Sequence, residues 1–363
     1  PETKFQKIIG RLRPIINKTP VKFYKKRTKT LFSPSFFGFN NIVDKINEIN
    51  PDIVHLHWIC GGMIKLEDIA NIKAHIVWSL HDMWAFTGGC HYNEGCSLYK
   101  NNCGNCKVLG SDKKNDLSRS IFNRKKKTFP LISSLTIIGV SQWLTKTSKN
   151  SPLLKNKKHI NIPNPIDTNI FKPFSKYKAR DLWGLPKSKK LVLFGAIGAT
   201  SDPRKGFKEL NESMDSLKNK DIEFVVFGSD KPKESQKLKF KTHYLGHLYD
   251  DISLVALYSS VDVMVVPSLQ EAFGQTASEA MSCGIPVVAF NTTGLMDIVD
   301  HKKNGYLAKP FKADDLAIGI EWVLNNVNYD ELSKNARDKV LREFDSKVVA
   351  KKCIDLYSMI LNG

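Results

Sequence analysis

Long apolar runs are what this 363-residue chain most plainly lacks. A membrane-spanning helix needs about 20 consecutive apolar residues, whereas the longest runs, Leu135–Val140 and Val261–Pro267, have the length of buried strands. Cysteine is sparse, seven in all with four of them within Cys90–Cys106, which excludes a disulfide-dense secreted scaffold. A reducing compartment with one specialised cluster is expected instead. The chain opens at Pro1 with neither an initiator Met nor a charged-then-apolar leader, so further native residues before it are expected. No repeat of fixed period occurs. The residues are 42% hydrophobic and 25% charged, which excludes disorder, collagen and coiled coil and suffices for two packed cores at roughly 100–200 residues per domain.

Acid is scarce as well: 36 Asp and Glu stand against 55 Lys and Arg, a formal net charge of +19. Ten of the basic residues lie before residue 31, against the single acid Glu2, and Arg124–Lys127 forms a second run. Such runs attract polyanions, either an anionic lipid leaflet or nucleic acid; a solvated, lysine-rich surface is the plain alternative. Interleaved Phe5, Phe23, Tyr24 and Phe32 favour the membrane interface. No recognition helix or aromatic ribonucleoprotein motif occurs, so no nucleic-acid partner is expected.

From Leu191 onward, apolar strand-like segments alternate with helical ones: strands at Leu191–Ala199, Ile222–Ser229, Val261–Ser268 and Ile285–Asn291, and helices at Phe207–Leu217, Asp250–Ser260 and near Thr276–Cys283. That alternation predicts a doubly wound parallel sheet covered on both faces. The first half repeats it less completely, with strands at Asp52–Trp58, His75–His81, Leu135–Ser141 and His159–Ile162, helices at Asn41–Asn50, near Lys65–Ile72, at Leu117–Ser133 and at Gln142–Asn150, and an irregular basic stretch over Pro1–Phe39. Pro163, Pro165 and Pro173 mark the linker, giving expected domains at 1–165 and 166–345 and a C-terminal helix at 346–363 that returns to the first.

Open parallel sheets bind ligands beyond the carboxyl ends of their strands. After the strand ending at Ser268 come Glu271, Gly274 and a helix bearing Glu279, a helix start that offers amides to phosphate and carboxylates to sugar hydroxyls. After the strand at Leu191, the run Gly195–Phe207 carries Arg204 and Lys205 where a departing diphosphate would gather charge. Gly228 ends another strand, near where a base would sit. In the first half, two strands end in His57-Trp58 and His81-Asp82, with imidazoles that titrate in a useful range. The plainer readings are a solvated loop acid, an exposed basic turn and structural histidines.

The pattern Glu271-x7-Glu279 within PSLQEAFGQTASEAMSCGIPVVAF, followed by GLMDIV and NGYLAKPF, resembles the retaining glycosyltransferases of family four. That resemblance, from about Asn50 to Trp322, implies an α/β GT-B fold: two Rossmann-like domains facing a cleft, here with an N-terminal domain lacking its first strand. It implies that Glu271 contacts the donor sugar and that Glu279 holds the nucleotide's ribose. The amides of Phe273, Gly274 and Gln275 would meet the sugar and diphosphate, Lys205 with Arg204 the diphosphate, and His81 the sugar hydroxyls. The family often carries an Arg where this chain has Ala199. The implied donor is a UDP- or GDP-sugar with no catalytic metal. The implied acceptor is a lipid-linked or polysaccharide glycan of a bacterial surface polymer, and the basic stretches lead us to expect a cytoplasmic protein held peripherally at the inner face of the cytoplasmic membrane. An inactive scaffold of the same fold is the alternative.

Cys90, Cys96, Cys103 and Cys106 follow a C-x5-C-x6-C-x2-C spacing whose final knuckle suits structural zinc. Two disulfides or free thiols are the other readings. The stretch HDMW-x-FTGGCHY…C…CGNC also resembles a subset of these enzymes that act in exopolysaccharide and colanic-acid-type synthesis. The loop over 88–110 is expected to shape the acceptor side.

Overall fold

The computed structural model describes residues 4–38, 41–219, 221–229 and 239–362. The chain divides into two compact units, Pro1–Ile162 with Ile354–Gly363, and Pro163–Cys353.

The N-terminal unit runs α1 (Lys4–Lys22), α2 (Ile42–Ile49), β1 (Ile53–Leu56), β2 (His75–Leu80), α3 (Leu117–Thr128), β3 (Leu135–Gly139), α4 (Gln142–Lys149) and β4 (Lys158–Asn161). Its strands form one parallel sheet in the order β1-β2-β3-β4, without a reversal among the described residues. All of β3 and five of the six residues of β2 are buried, as continuous apolar strands covered on both faces should be. Asp116 and Ser141 cap α3 and α4, accepting from the amides of Arg119 and Leu144 at 3.1 Å each.

Two expectations are corrected here. The stretch over Pro1–Phe39 is not wholly irregular: α1 forms in spite of Pro14 and Pro20 within it. Proline in a helix interior removes a backbone hydrogen bond, and tertiary contacts offset that loss. The Asn17 amide donates to the Phe37 carbonyl at 3.1 Å and accepts from the Phe37 amide at 3.2 Å. α1 also lies so close to Gly62, at φ +81°, that a Cβ there would stand 2.7 Å from Asn17 Nδ2. The helix expected near Lys65–Ile72 is a single 3₁₀ turn, Glu67–Asn71.

The C-terminal unit continues with α5 (Lys176–Leu182), β5 (Lys190–Gly195), α6 (Phe207–Met214), β6 (Ile222–Phe227), β7 (Thr242–Tyr244), α7 (Asp251–Ser260) and β8 (Val263–Val266). After these come α8 (Gln275–Ser282), β9 (Val287–Phe290), α9 (Leu295–Ile298), β10 (Gly305–Ala308), α10 (Ala313–Leu324), α11 (Tyr329–Glu343) and α12 (Ser346–Leu361), whose residues from Ile354 belong to the N-terminal unit. The sheet is parallel throughout, in the order β10-β9-β8-β5-β6-β7. Strand order therefore reverses between β5 and β8, and the loops that follow these two strands emerge side by side at the switch point. Val192, Phe194, Phe224, Val265 and Phe290 from the strands meet Leu210, Leu316 and Ile320 from the helices in one core.

Candidate functional site

At the switch point the two segments singled out above are stitched together. The Leu269 amide donates to the Arg204 carbonyl at 2.8 Å. Gly206, at φ +73°, sits so close to the other loop that a Cβ would lie 1.9 Å from the Pro267 oxygen. Only glycine fits both that backbone conformation and that approach. The join ends in an ion pair: Lys205 Nζ donates to Glu271 Oε1 at 2.6 Å, with side chains 18% and 14% exposed. Ser268 Oγ adds a bond to the same oxygen at 3.0 Å, and the backbone of Glu271 is held by Thr293 Oγ1 and the Gly294 amide. An ammonium and a carboxylate are thus fixed at the carboxyl end of the sheet.

Arg204 is turned differently: its guanidinium pairs with Asp202 at 2.6 Å. Ala199 is fully buried in the core, so an arginine would have no room there. Gly228 closes β6, and its carbonyl accepts from the Gly198 amide at 2.9 Å, which ties it to the loop after β5. Gly274 caps the start of α8, Gln275 opens it in an exposed position, and the Phe273 ring packs edge-on against Phe344 at 5.3 Å. Glu279 lies one turn further. Burial holds its carboxyl above the ordinary carboxylate range, opposed by hydrogen bonds from Tyr258 and Gln275. The bond from the fully buried Tyr258 hydroxyl to Oε2 is 2.8 Å.

In the N-terminal unit, His81 does not stand alone. Its Nε2 lies 2.9 Å from Nδ1 of His57, and the His57 ring stacks on His55 with centroids 4.5 Å apart. His55 in turn bonds Ser79 Oγ at 2.8 Å and the Tyr357 hydroxyl, from α12, at 2.5 Å. Burial, and then the neighbouring His57, hold His81 below imidazole's ordinary value; burial does the same for His57. Two neutral rings share one hydrogen bond, so one donates and the other accepts. Sequence reasoning named His57 as a strand-end imidazole but not as the partner of His81, and it missed Tyr258 and Tyr357. Positions 55 and 57 alternate along one strand face, a signal for the first; Tyr357 is 302 residues from His55, and nothing local announces it.

The loop over 88–110 clasps residues 28–33. Phe32 and Cys90 form an antiparallel bridge. The Ser33 amide bonds Gly89 O at 2.8 Å, and the hydroxyls of Thr28 and Thr30 donate to Glu94 Oε1 at 2.7 and 2.6 Å. Cys106 packs in a small apolar cluster with Val21, Phe32 and Ile121, and Cys90 lies against it. All seven cysteines are free thiols. Burial pushes Cys103 up to about 12 and Cys106 up to about 11. The zinc expectation is not supported. Cys90, Cys96, Cys103 and Cys106 are neighbours, yet among the described residues no group of three or more His, Cys, Asp or Glu is arranged to hold an ion. Hydrogen bonds and apolar packing hold the loop instead. Lys125, fully buried, ties the turn that leads into the loop to α3 by donating to the carbonyls of Trp84 and Thr87.

Residues 177–339 match the family model "Glycosyl transferases group 1". An uncharacterized glycosyltransferase of Methanocaldococcus jannaschii is 27% identical over 353 residues, covering 90% of this chain and 87% of its own. The N,N'-diacetylbacillosaminyl-diphospho-undecaprenol alpha-1,3-N-acetylgalactosaminyltransferase of Campylobacter jejuni is 31% identical over 164 residues, 44% of this chain and 43% of that protein. Among solved structures, HepE of Anabaena in complex with UDP and glucose superimposes with a TM-score of 0.61 at 18% identity, covering 87% of this chain and 81% of that one. The two parallel units are therefore of the GT-B type, and the protein is an enzyme of the glycosyltransferase class, EC 2.4. The residues matched by the family model lie within the C-terminal unit.

Proposed function

We propose that the protein is a retaining, family-four glycosyltransferase that moves a sugar from a UDP- or GDP-sugar to a lipid-linked or polysaccharide acceptor in bacterial surface glycan synthesis. The observation that carries this reading is the Lys205–Glu271 pair at 2.6 Å, set at the switch point of the sheet. The acceptor hydroxyl attacks the anomeric carbon on the face that the diphosphate leaves. The bond from that carbon to the phosphate oxygen breaks, and the same oxygen takes the acceptor's proton. Lys205 faces the charge that builds there, Glu271 keeps the ammonium aimed and contacts the sugar, and the amides of Phe273, Gly274 and Gln275 receive sugar and diphosphate. Glu279, steadied by Tyr258, holds the ribose. On the N-terminal unit, His81 is assigned to the sugar hydroxyls. The uridine diphosphate bound to HepE and the lipid-diphosphate acceptor in the name of the Campylobacter relative support donor and acceptor class.

A thermal-shift screen of UDP-, GDP- and ADP-sugars tests this. One donor is expected to stabilise the chain, Glu279→Ala to abolish the shift, and Tyr258→Phe to weaken binding about 3- to 10-fold, the worth of one hydrogen bond. Absence of stabilisation by any donor would sink the reading.

The same proposal places the enzyme at the cytoplasmic face of an anionic membrane. No helix of the described residues is long and apolar enough to cross one. Helix α1 and the residues just after it instead expose Leu12 (45%), Ile15 (53%) and Phe23 (80%) beside Arg11, Lys22, Lys25 and Lys26. Each basic residue near such a surface contributes about 1 kcal/mol. The protein is expected to float with phosphatidylglycerol vesicles, to stay behind with phosphatidylcholine, and to bind less in Phe23→Ser. Equal behaviour with both lipids would remove the membrane from the proposal.

A further inference from the structure

A cavity of about 430 Å³ opens in the N-terminal unit between α1, the turn after β1 and the segment clasped by the cysteine loop. Its lining sorts by chemistry. Arg13 and Lys18 come from the helix; Trp58, Met63 and Leu31 are 46%, 43% and 40% exposed; Ser33, 8% exposed, marks the buried end. Ser33 is set up by a relay. Asp82 Oδ2 lies 2.6 Å from Nδ1 of His91, which is 1% exposed, and Nε2 of that ring lies 2.8 Å from Ser33 Oγ. In the tautomer whose Nδ1–H donates to the Asp82 carboxylate oxygen, Nε2 accepts and the serine hydroxyl donates to it. Ser33 Oγ also meets the Cys60 thiol, and with two lone pairs it can still accept from a hydroxyl in the cavity. Asp82 is itself anchored, its other oxygen taking the Trp84 amide at 2.7 Å.

These features ask for one kind of ligand. A half-exposed indole offers an apolar face to the C–H side of a sugar ring, the serine oxygen accepts from a sugar hydroxyl, and two cations suit a phosphate. Trp58 also lines the small hollow that contains His57 and His81. We propose that this cavity is the seat of the acceptor's glycosyl phosphate head group, the sugar on Trp58 and Ser33 and the phosphate toward Arg13 and Lys18. The proposal rests on the acceptor class given above and adds where and by which groups that acceptor is held.

The test is binding of N-acetylglucosamine 1-phosphate to the full chain by calorimetry or ligand-observed NMR, with methyl N-acetylglucosaminide and inorganic phosphate as partial probes. Saturable binding of the sugar phosphate is expected, tighter than either partial probe by tenfold or more. Trp58→Ala is expected to weaken it at least tenfold. The double change Arg13→Ala with Lys18→Ala should weaken the sugar phosphate but leave the methyl glycoside unchanged, and Ser33→Ala should weaken both sugars. All variants should keep the thermal shift given by the donor, which reports their folding. No binding to the wild-type chain, or binding that none of the variants disturbs, overturns the seat. If a nucleotide sugar still stabilises the chain in that case, the transferase reading stands without it; if none does, both fall.

Discussion

Lys205→Ala is expected to lower kcat about 100- to 1,000-fold, the usual loss when a charge-stabilising donor is removed from a transition state. Two effects combine. In the proposed mechanism the departing diphosphate loses a cation facing its developing charge, and Glu271, whose side chain is 14% exposed, keeps, among the described residues, the Ser268 hydroxyl in place of an ammonium at 2.6 Å. Because the pair works as a unit, Lys205→Ala with Glu271→Ala should cost little more than the worse single change, whereas independent sites would multiply. Steady-state kinetics on the two single variants and the double variant, with donor binding followed separately, measures this. A kcat within about threefold of wild type for Lys205→Ala would show that the leaving group is stabilised elsewhere, with Arg204 the next residue to replace.

Mild acid should destabilise the N-terminal unit well before carboxylates titrate. Five of its imidazoles, His55, His57, His75, His81 and His159, are held below the ordinary value of 6.5, each chiefly by burial. His55, beside His57 and His81, falls furthest, to about 4. A depressed base is neutral in the folded chain and protonated in the unfolded one, so its contribution is complete above 6.5 and is lost as pH falls from there toward 4. The midpoint of thermal unfolding is expected to drop by roughly 5 °C or more between pH 7.5 and pH 5. Hydrogen exchange should place the earliest opening in β1 and β2. A midpoint that does not move across that range would contradict the neutral state of these imidazoles.

Much of this was legible from the residues. Strands such as Leu135–Gly139 and Ile222–Phe227 announce themselves because parallel sheets are buried on both faces and read as unbroken apolar runs. The two loops of the C-terminal site were legible because each directly follows such a strand. What stayed hidden depends on contacts distant in sequence. α1 was hidden by its prolines, since local propensity argues against a helix that Asn17 and the Gly62 turn hold in place. The Tyr258 support of Glu279 joins two helices, and spacing cannot show it. The cysteine spacing misled for a related reason: the ligand pattern of a zinc knuckle is also met by thiols packed in an apolar loop.

The last helix changes the order in which this protein can be built. α12 begins in the C-terminal unit, but Ile354 onward belongs to the N-terminal one, where Tyr357 completes the histidine row. On a ribosome, domains usually fold in the order in which they emerge. Here the N-terminal unit must wait for the residues from Ile354 onward, and the C-terminal unit, contiguous from Pro163 to Cys353, is whole before it. Until Tyr357 has emerged, His55 has no tyrosine to bond, so the N-terminal unit is finished only after the C-terminal one.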